Sequence, residues 1–240
     1  MSTGRLYGVG TGPGDPELLT LKAARVLGAV PVVAHFAKRG NASNARAALG
    51  GLPLRADAVE LPLLYPVTTE IDRHDPCYKR KIADFYEASA AEIARHLEAG
   101  RDVAVLSEGD PFLYGSYMHL HLRLAPRFAT EVIPGITSMS GAWSMAGAPI
   151  AQGDDVLAVL PGTLPEEELA RRLAGVDAAV ILKVGRNLPR IRRAIEAAGC
   201  MDRALYVERA TRADGGVEPL AARDDRPAPY FSLVLVPGWR

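Results

Sequence analysis

Two hydrophobic periods alternate along the chain. Residues 6–9 and 30–36 are short apolar runs bordered by Gly or Pro, and both read as buried strands. Between them, residues 20–29 carry a helical pattern. Residues 79–99 place Ile82, Phe85, Ile93 and Leu97 at helical spacing with charges between them, and Gly100 supplies a stop. Residues 102–106 form another buried run. A helical stretch with Met118, Leu120, Leu122 and Leu124 follows, then a short strand at 131–133 closed by Pro134-Gly135. In the second half, strands are predicted at 156–160, 180–182, 204–207 and 231–236. Thr163 and Glu166 have capping-box spacing for a helix reaching Leu173. Asn187 and Pro189 open a helix carrying Ile191 and Ile195. Residues 211–216 and 223–229 are polar and turn-rich, which reads as a surface hairpin or loop.

Strands alternating with helices predict an α/β protein with helix-covered parallel or mixed sheets. Late strands are separated by fewer helices, so the C-terminal sheet is expected to be mixed and partly antiparallel. The turn at Pro134-Gly135 is the expected junction, giving two α/β domains, 1–134 and 135–240. The length agrees, since 240 residues at about 150 per domain is roughly 1.6 domains.

Composition narrows the function classes. Hydrophobic residues are 48% and charged residues 23%, which excludes a disordered chain. Lys and Arg total 28 against 28 Asp and Glu, so no global basic field exists to drive nucleic-acid binding. A local basic cleft for an acidic small molecule is still allowed. Cys77 and Cys200 lack metal-ligand spacing and cannot form a disulfide scaffold, which points to a reducing cytoplasm. No apolar run reaches the roughly 18–20 residues of a membrane span, and no signal-like run follows Met1.

Candidate chemistry sits in three glycine-containing corners, each just after a predicted strand. The first is Gly8-Val9-Gly10-Thr11-Gly12-Pro13-Gly14-Asp15-Pro16. It fails the dinucleotide G-x-G-x-x-G pattern in both registers, because Pro13 or Asp15 occupies the third glycine position, and it lacks the Gly-Lys-Ser/Thr of a phosphate loop. Asp15, Pro16 and Glu17 suit a helix start, with Thr20 as a second cap. The second corner is Ser107-Glu108-Gly109-Asp110-Pro111-Phe112-Leu113-Tyr114-Gly115. The third is Pro134-Gly135-Ile136-Thr137-Ser138. Ligands of open α/β sheets collect at strand carboxyl ends, so the three corners read as one ligand site.

Together these motifs resemble the tetrapyrrole methylase family over nearly the whole chain. The resemblance rests on GxGxGPGDPELLTLKA at 8–23, GDPFLYG at 109–115 and PGITS at 134–138, with ILKVG at 181–185 and YVERAT at 206–211. Three further runs, LPLLYPVTTE at 61–70, SEGDPFLYGSYMHLH at 107–121 and PYFSLVLVPGW at 229–239, look like the members that methylate carbon 20 of a reduced tetrapyrrole in aerobic cobalamin biosynthesis. A sister methylase acting on another ring carbon or on a cobalt-bearing analogue is the alternative. Uroporphyrinogen methylase relatives usually have a Gly-Gly-Asp-Pro loop, and Glu108 replaces its first glycine here.

The resemblance implies S-adenosylmethionine as cofactor, bound between two α/β domains, a small-molecule tetrapyrrole substrate and a homodimer. Carried over by position, the cofactor residues are Pro13, Glu108, Gly109, Asp110, Leu113, Thr137, Ser138, Val184 and Ala210. Glu108, Asp110, Tyr114 and Glu70 are candidate proton acceptors. The substrate implied bears eight carboxylates, for which His35, Lys38, Tyr65, Thr68, Thr69 and Arg186 are candidate contacts, with Arg39, Lys79, Arg80 and Lys81 as further cations. No metal site is expected, because His119 and His121 are two apart and point to different helix faces. His74 and His96 read as solvated. Tyr117, Met118, Trp143 and Met145 read as packing.

Overall fold

The computed structural model describes residues 2–67, 75–224 and 226–238. The chain divides into two compact units, Met1–Thr137 and Ser138–Arg240.

In the first unit, β1 (Leu6–Gly10), β2 (Val32–Lys38), β3 (Val59–Tyr65), β4 (Val103–Ser107) and β5 (Thr130–Ile133) make one sheet in the order β3-β2-β4-β1-β5. Every pairing in it is parallel. The helices are α1 (Leu21–Leu27), α2 (Asn44–Ala47), α3 (Pro76–Glu98) and α4 (Tyr117–Leu124). Val32, Ala34, Val103 and Val105 pack with Ile93, Leu97 and Leu120 of α3 and α4. Their neighbours Val33, Ala104 and Leu106 pack with Ala23 and Leu27 of α1 on the other face. A strand buried on both faces has no polar side, which is why β2 and β4 read as largely apolar runs, broken in β2 only by His35 before the exposed Lys38 at its end. The edge strand β3 escaped the sequence reading. It contains Pro62 and has exposed positions, both of which an edge tolerates.

The caps behave as their residue types dictate. Asp15 Oδ1 accepts from Glu17 N at 2.9 Å and opens a single 3-10 turn, while Thr20 Oγ1 accepts from Ala23 N at 3.1 Å at the head of α1.

In the second unit, β6 (Leu157–Pro161), β7 (Ala178–Leu182), β8 (Leu205–Glu208), β9 (Gly216–Pro219) and β10 (Ser232–Val236) form a sheet in the order β6-β7-β10-β8-β9. β6 and β7 are parallel; β10 runs antiparallel to β7 and β8, and β8 to β9. The turn-rich stretch after β8 is thus the tip of a hairpin. α6 (Glu166–Leu173) and α7 (Leu188–Ala197) cover one face with Leu169, Ile191 and Ile195, and α5 (Ser138–Met145) covers the other with Ala142. One expected cap is corrected. Pro165, not Thr163, is the N-cap of α6, so Glu166 is the first helical residue rather than the third. Three glutamates in the first turn then face the positive end of the helix dipole.

Candidate functional site

The parallel order β4-β1-β5 puts three carboxyl ends side by side, and each continues into one of the three corners. Their backbones interlock. Thr11 N donates to Ser107 O at 2.9 Å, and Gly109 N donates to Gly12 O at 2.9 Å in an isolated antiparallel bridge. The buried Thr11 hydroxyl adds a second bond to Ser107 O at 3.2 Å. Gly10, Gly109 and Gly135 meet where these corners cross. A Cβ on Gly10 would lie 2.5 Å from Gly135 N and 2.6 Å from Gly109 O, both backbone atoms. Only a residue without a side chain allows that approach.

Asp110 joins the second corner to the third. Its Oδ2 accepts from Gly135 N at 3.1 Å and its Oδ1 from Phe112 N at 2.9 Å. Both carboxylate oxygens therefore hold backbone. Glu108, Leu113 and Pro13 are half-buried around this junction, and Gly109 is buried within it. Tyr117 anchors the loop's far end. Its ring fills the space left by Gly8, and its hydroxyl lies 3.2 Å from His121 Nδ1. Burial pushes the Tyr117 phenol well above its usual pKa, so it stays neutral.

Backbone strain marks further positions. The non-glycine residues at positive φ among those described are Tyr114 (55°), Lys183 (60°), Arg209 (48°) and Thr211 (65°). Such residues cost on the order of 1–3 kcal/mol each and gather at ligand sites. Tyr114 adjoins Leu113, Lys183 adjoins Val184, and Arg209 and Thr211 flank Ala210. In the second unit, Val184 and Ala210 are buried just beyond the carboxyl ends of β7 and β8. Ser138 is the first residue of α5, directly after Thr137.

Other candidates are dispersed. His35, a candidate substrate contact, does not adjoin the first glycine corner, because β4 separates its strand from β1 and His35 pairs in register with Leu106. It is buried, its Nε2 lies 3.5 Å from Glu60 Oε2, and Arg46 grips Glu60 at 3.0 and 2.8 Å. A side chain engaged this way is not presented to a substrate carboxylate. Tyr65 is the last residue of β3. Its ring packs on Phe36 and Phe85 with centroids at 5.6 and 4.8 Å, and its hydroxyl meets Ser116 Oγ, which also accepts from Tyr86 at 3.1 Å. Lys38 and Arg186 are exposed, as are Arg39, Lys79, Arg80 and Lys81. Lys81 lines an open cleft of about 400 Å³ with Leu64, Pro66, Asp84 and Phe85. Thr68, Thr69, Glu70 and His74 lie outside the described residues. His119 stacks on Tyr86 and His121 sits edge-on to Phe112, so the two diverge. The sequence reading passed over Ser116, Tyr86, Arg46 and Glu60, whose partners lie far along the chain and carry no local signal.

His35 makes a pH prediction. Burial holds its imidazole below the ordinary 6.5, outweighing the opposing pull of Glu60. The unfolded chain then takes up the proton first. Stability is full above 6.5 and falls as the pH drops from there toward the lower folded value. Between about pH 7.5 and 5 the melting temperature should fall more steeply for the wild type than for His35→Gln. Parallel curves would contradict the assignment.

Comparison with known proteins adds to this geometry. The family described as Tetrapyrrole (Corrin/Porphyrin) Methylases matches residues 5–222. A precorrin-2 C(20)-methyltransferase of Sinorhizobium sp is 65% identical over 240 residues, covering 100% of this chain and 98% of that protein. A cobalt-precorrin-2 C(20)-methyltransferase of Salmonella typhimurium is 32% identical, covering 97% of this chain and 96% of its own. Among solved structures, a uroporphyrin-III C-methyl transferase from Thermus thermophilus complexed with S-adenyl homocysteine superposes with a TM-score of 0.66 at 26% identity, covering 97% of this chain and 96% of that one. A cobalt precorrin-4 methyltransferase at 21% identity shares the fold, with a TM-score of 0.73 and coverage of 97% and 94%.

Proposed function

The chain belongs to the tetrapyrrole (corrin/porphyrin) methylases, and from that premise we propose that it methylates carbon 20 of precorrin-2 with S-adenosylmethionine, giving precorrin-3A in cobalamin biosynthesis. The observation that carries this reading is 65% identity to a precorrin-2 C(20)-methyltransferase along the entire chain. The cobalt-precorrin-2 relative is only 32% identical, which favours the metal-free substrate.

The corners suit an adenosyl cofactor. Glycines at 10, 109 and 135 let the three corner backbones pack against one another, which holds the strand ends together where the resemblance puts the cofactor. In the first unit Pro13, Glu108, Gly109, Asp110, Leu113 and Thr137 are the proposed cofactor residues. The second unit offers Ser138, Val184 and Ala210. When bound, S-adenosylmethionine supplies an electrophilic methyl whose departure leaves a neutral thioether. No acid is needed for that leaving group, so the chain contributes chiefly position. The meso carbon gains the methyl and afterward releases a proton. Glu108, Asp110, Tyr114 and Glu70 are the proposed candidates for that proton; Asp110 also holds two backbone N–H groups, and Glu70 lies outside the described residues. Lys38, Arg186, Arg39 and the cations at the start of α3, all exposed, are the proposed contacts for the substrate's carboxylates.

The family resemblance extends the reading to a homodimer, which light scattering after size exclusion tests, and the cysteine usage extends it to a reducing cytoplasm. Among the described residues no helix is long and apolar enough to cross a membrane. The function itself is tested with precorrin-2 and S-adenosylmethionine labelled with carbon-13 in the methyl group. Product NMR should place the label on carbon 20. A label on another ring carbon would overturn the assignment.

A further inference from the structure

The turns after β6 and β7 are joined by two polar side chains that no sequence motif singled out for binding. Gly162 N donates to Leu182 O at 2.6 Å, so the two turns touch. A Cβ on Gly162 would lie 2.6 Å from Ile191 Cδ1 and 3.0 Å from Leu182 O, so the turn packs closely there. Beyond Leu182 the chain passes through Lys183 at φ 60° and Gly185 at φ 38°, with Val184 buried between them.

Asn187 grips both peptide groups that flank Val184. Its Nδ2 donates to Lys183 O at 3.0 Å, and its backbone N donates to Val184 O at 2.7 Å. Arg190 sets Asn187 in turn. Its Nη2 donates to Asn187 Oδ1 at 2.7 Å and to Gly162 O at 3.1 Å. Because Arg190 consumes the amide oxygen, the Asn187 NH₂ must face Lys183. A trans peptide points its N–H opposite its C=O. Drawing both carbonyls toward Asn187 therefore turns the N–H groups of Val184 and Gly185 the other way.

We propose that Asn187 and Arg190 are positioning residues for the cofactor: they hold the strained Lys183–Val184–Gly185 backbone so that its amides face the adenosyl group. This rests on the reading that Val184 belongs to the cofactor site. The strain explains why the device is needed. A non-glycine residue at positive φ relaxes unless its surroundings hold it, and Asn187 supplies that hold.

Asn187→Asp separates the parts. It keeps an oxygen for Arg190 but loses the donor to Lys183 O. The Michaelis constant for S-adenosylmethionine and the calorimetric Kd for S-adenosylhomocysteine should both rise about tenfold, the effect of one lost hydrogen bond. The turnover number should stay within about twofold, and the KM for precorrin-2 should not move. Arg190→Lys, which keeps a donor for Gly162 O, should shift the same two constants by less and serves if the first variant does not fold. A lower melting temperature with unchanged cofactor affinity would overturn the proposal, and so would a fall in turnover alone. Failure of the wild type to bind S-adenosylhomocysteine would instead defeat the cofactor reading itself.

Discussion

Gly10→Ala should abolish most methyl transfer while leaving the chain able to fold. The added Cβ would sit 2.5 Å from Gly135 N, 2.6 Å from Gly109 O and 2.6 Å from Gly135 Cα. All three are backbone atoms of other corners, so no side chain can swing aside. Relief requires the corners to separate, and overpacking of this kind costs about 1–3 kcal/mol. The catalytic effect is larger, because misplacing reacting groups by about 1 Å costs on the order of 100-fold. A fall of about that size or more in kcat/KM is expected, with an intact far-UV spectrum. Gly51→Ala is the control, since nothing lies within 4 Å of its Cβ and its φ is not positive. Near-wild-type turnover by Gly10→Ala would show that the three corners do not form the reaction site.

The second large effect is expected at Asp110. Its carboxylate joins Gly135 N and Phe112 N. Asp110→Ala leaves both N–H groups without that acceptor, which should lower stability by about 1–2 kcal/mol. Affinity for S-adenosylhomocysteine should fall on the order of 10-fold to 100-fold as the second and third corners separate. Asp110→Asn keeps one oxygen and should recover part of both losses. The same pair of variants distinguishes positioning from proton transfer. If Asp110 took the proton, Asp110→Asn would lose on the order of 10²–10⁴ in turnover while binding the cofactor as the wild type does. Isothermal calorimetry beside steady-state kinetics separates these outcomes.

The contrast between these sites and the fold shows what local sequence carries. β1, β2 and β4 were legible because strands buried on both faces are largely apolar, and that needs no knowledge of neighbours. Asp15 and Thr20 were legible as caps because a cap bonds within three residues. β3 was missed because an edge strand is half exposed and tolerates Pro62. The α6 cap was misplaced because Thr163 and Glu166 have capping-box spacing, yet the chain turns at Pro165 first.

Local pattern thus determined the alternation of strand and helix, the mixed second sheet and the three glycine corners, since each depends on residues close in sequence. The resemblance of those corners pointed to the cofactor. Tertiary structure alone decided how the corners meet. Thr11 reaches Ser107 across 96 residues, and Asp110 reaches Gly135 across 25. Those contacts exist because β4 inserts beside β1 in the sheet, an ordering set by the packing of whole strands and helices. It also decided that His35 is held by Glu60, and that Asn187 and Arg190 hold the backbone at Val184. A hydrogen bond between distant residues leaves no period in the sequence, so only the folded chain could reveal which polar side chains are spent on holding backbone.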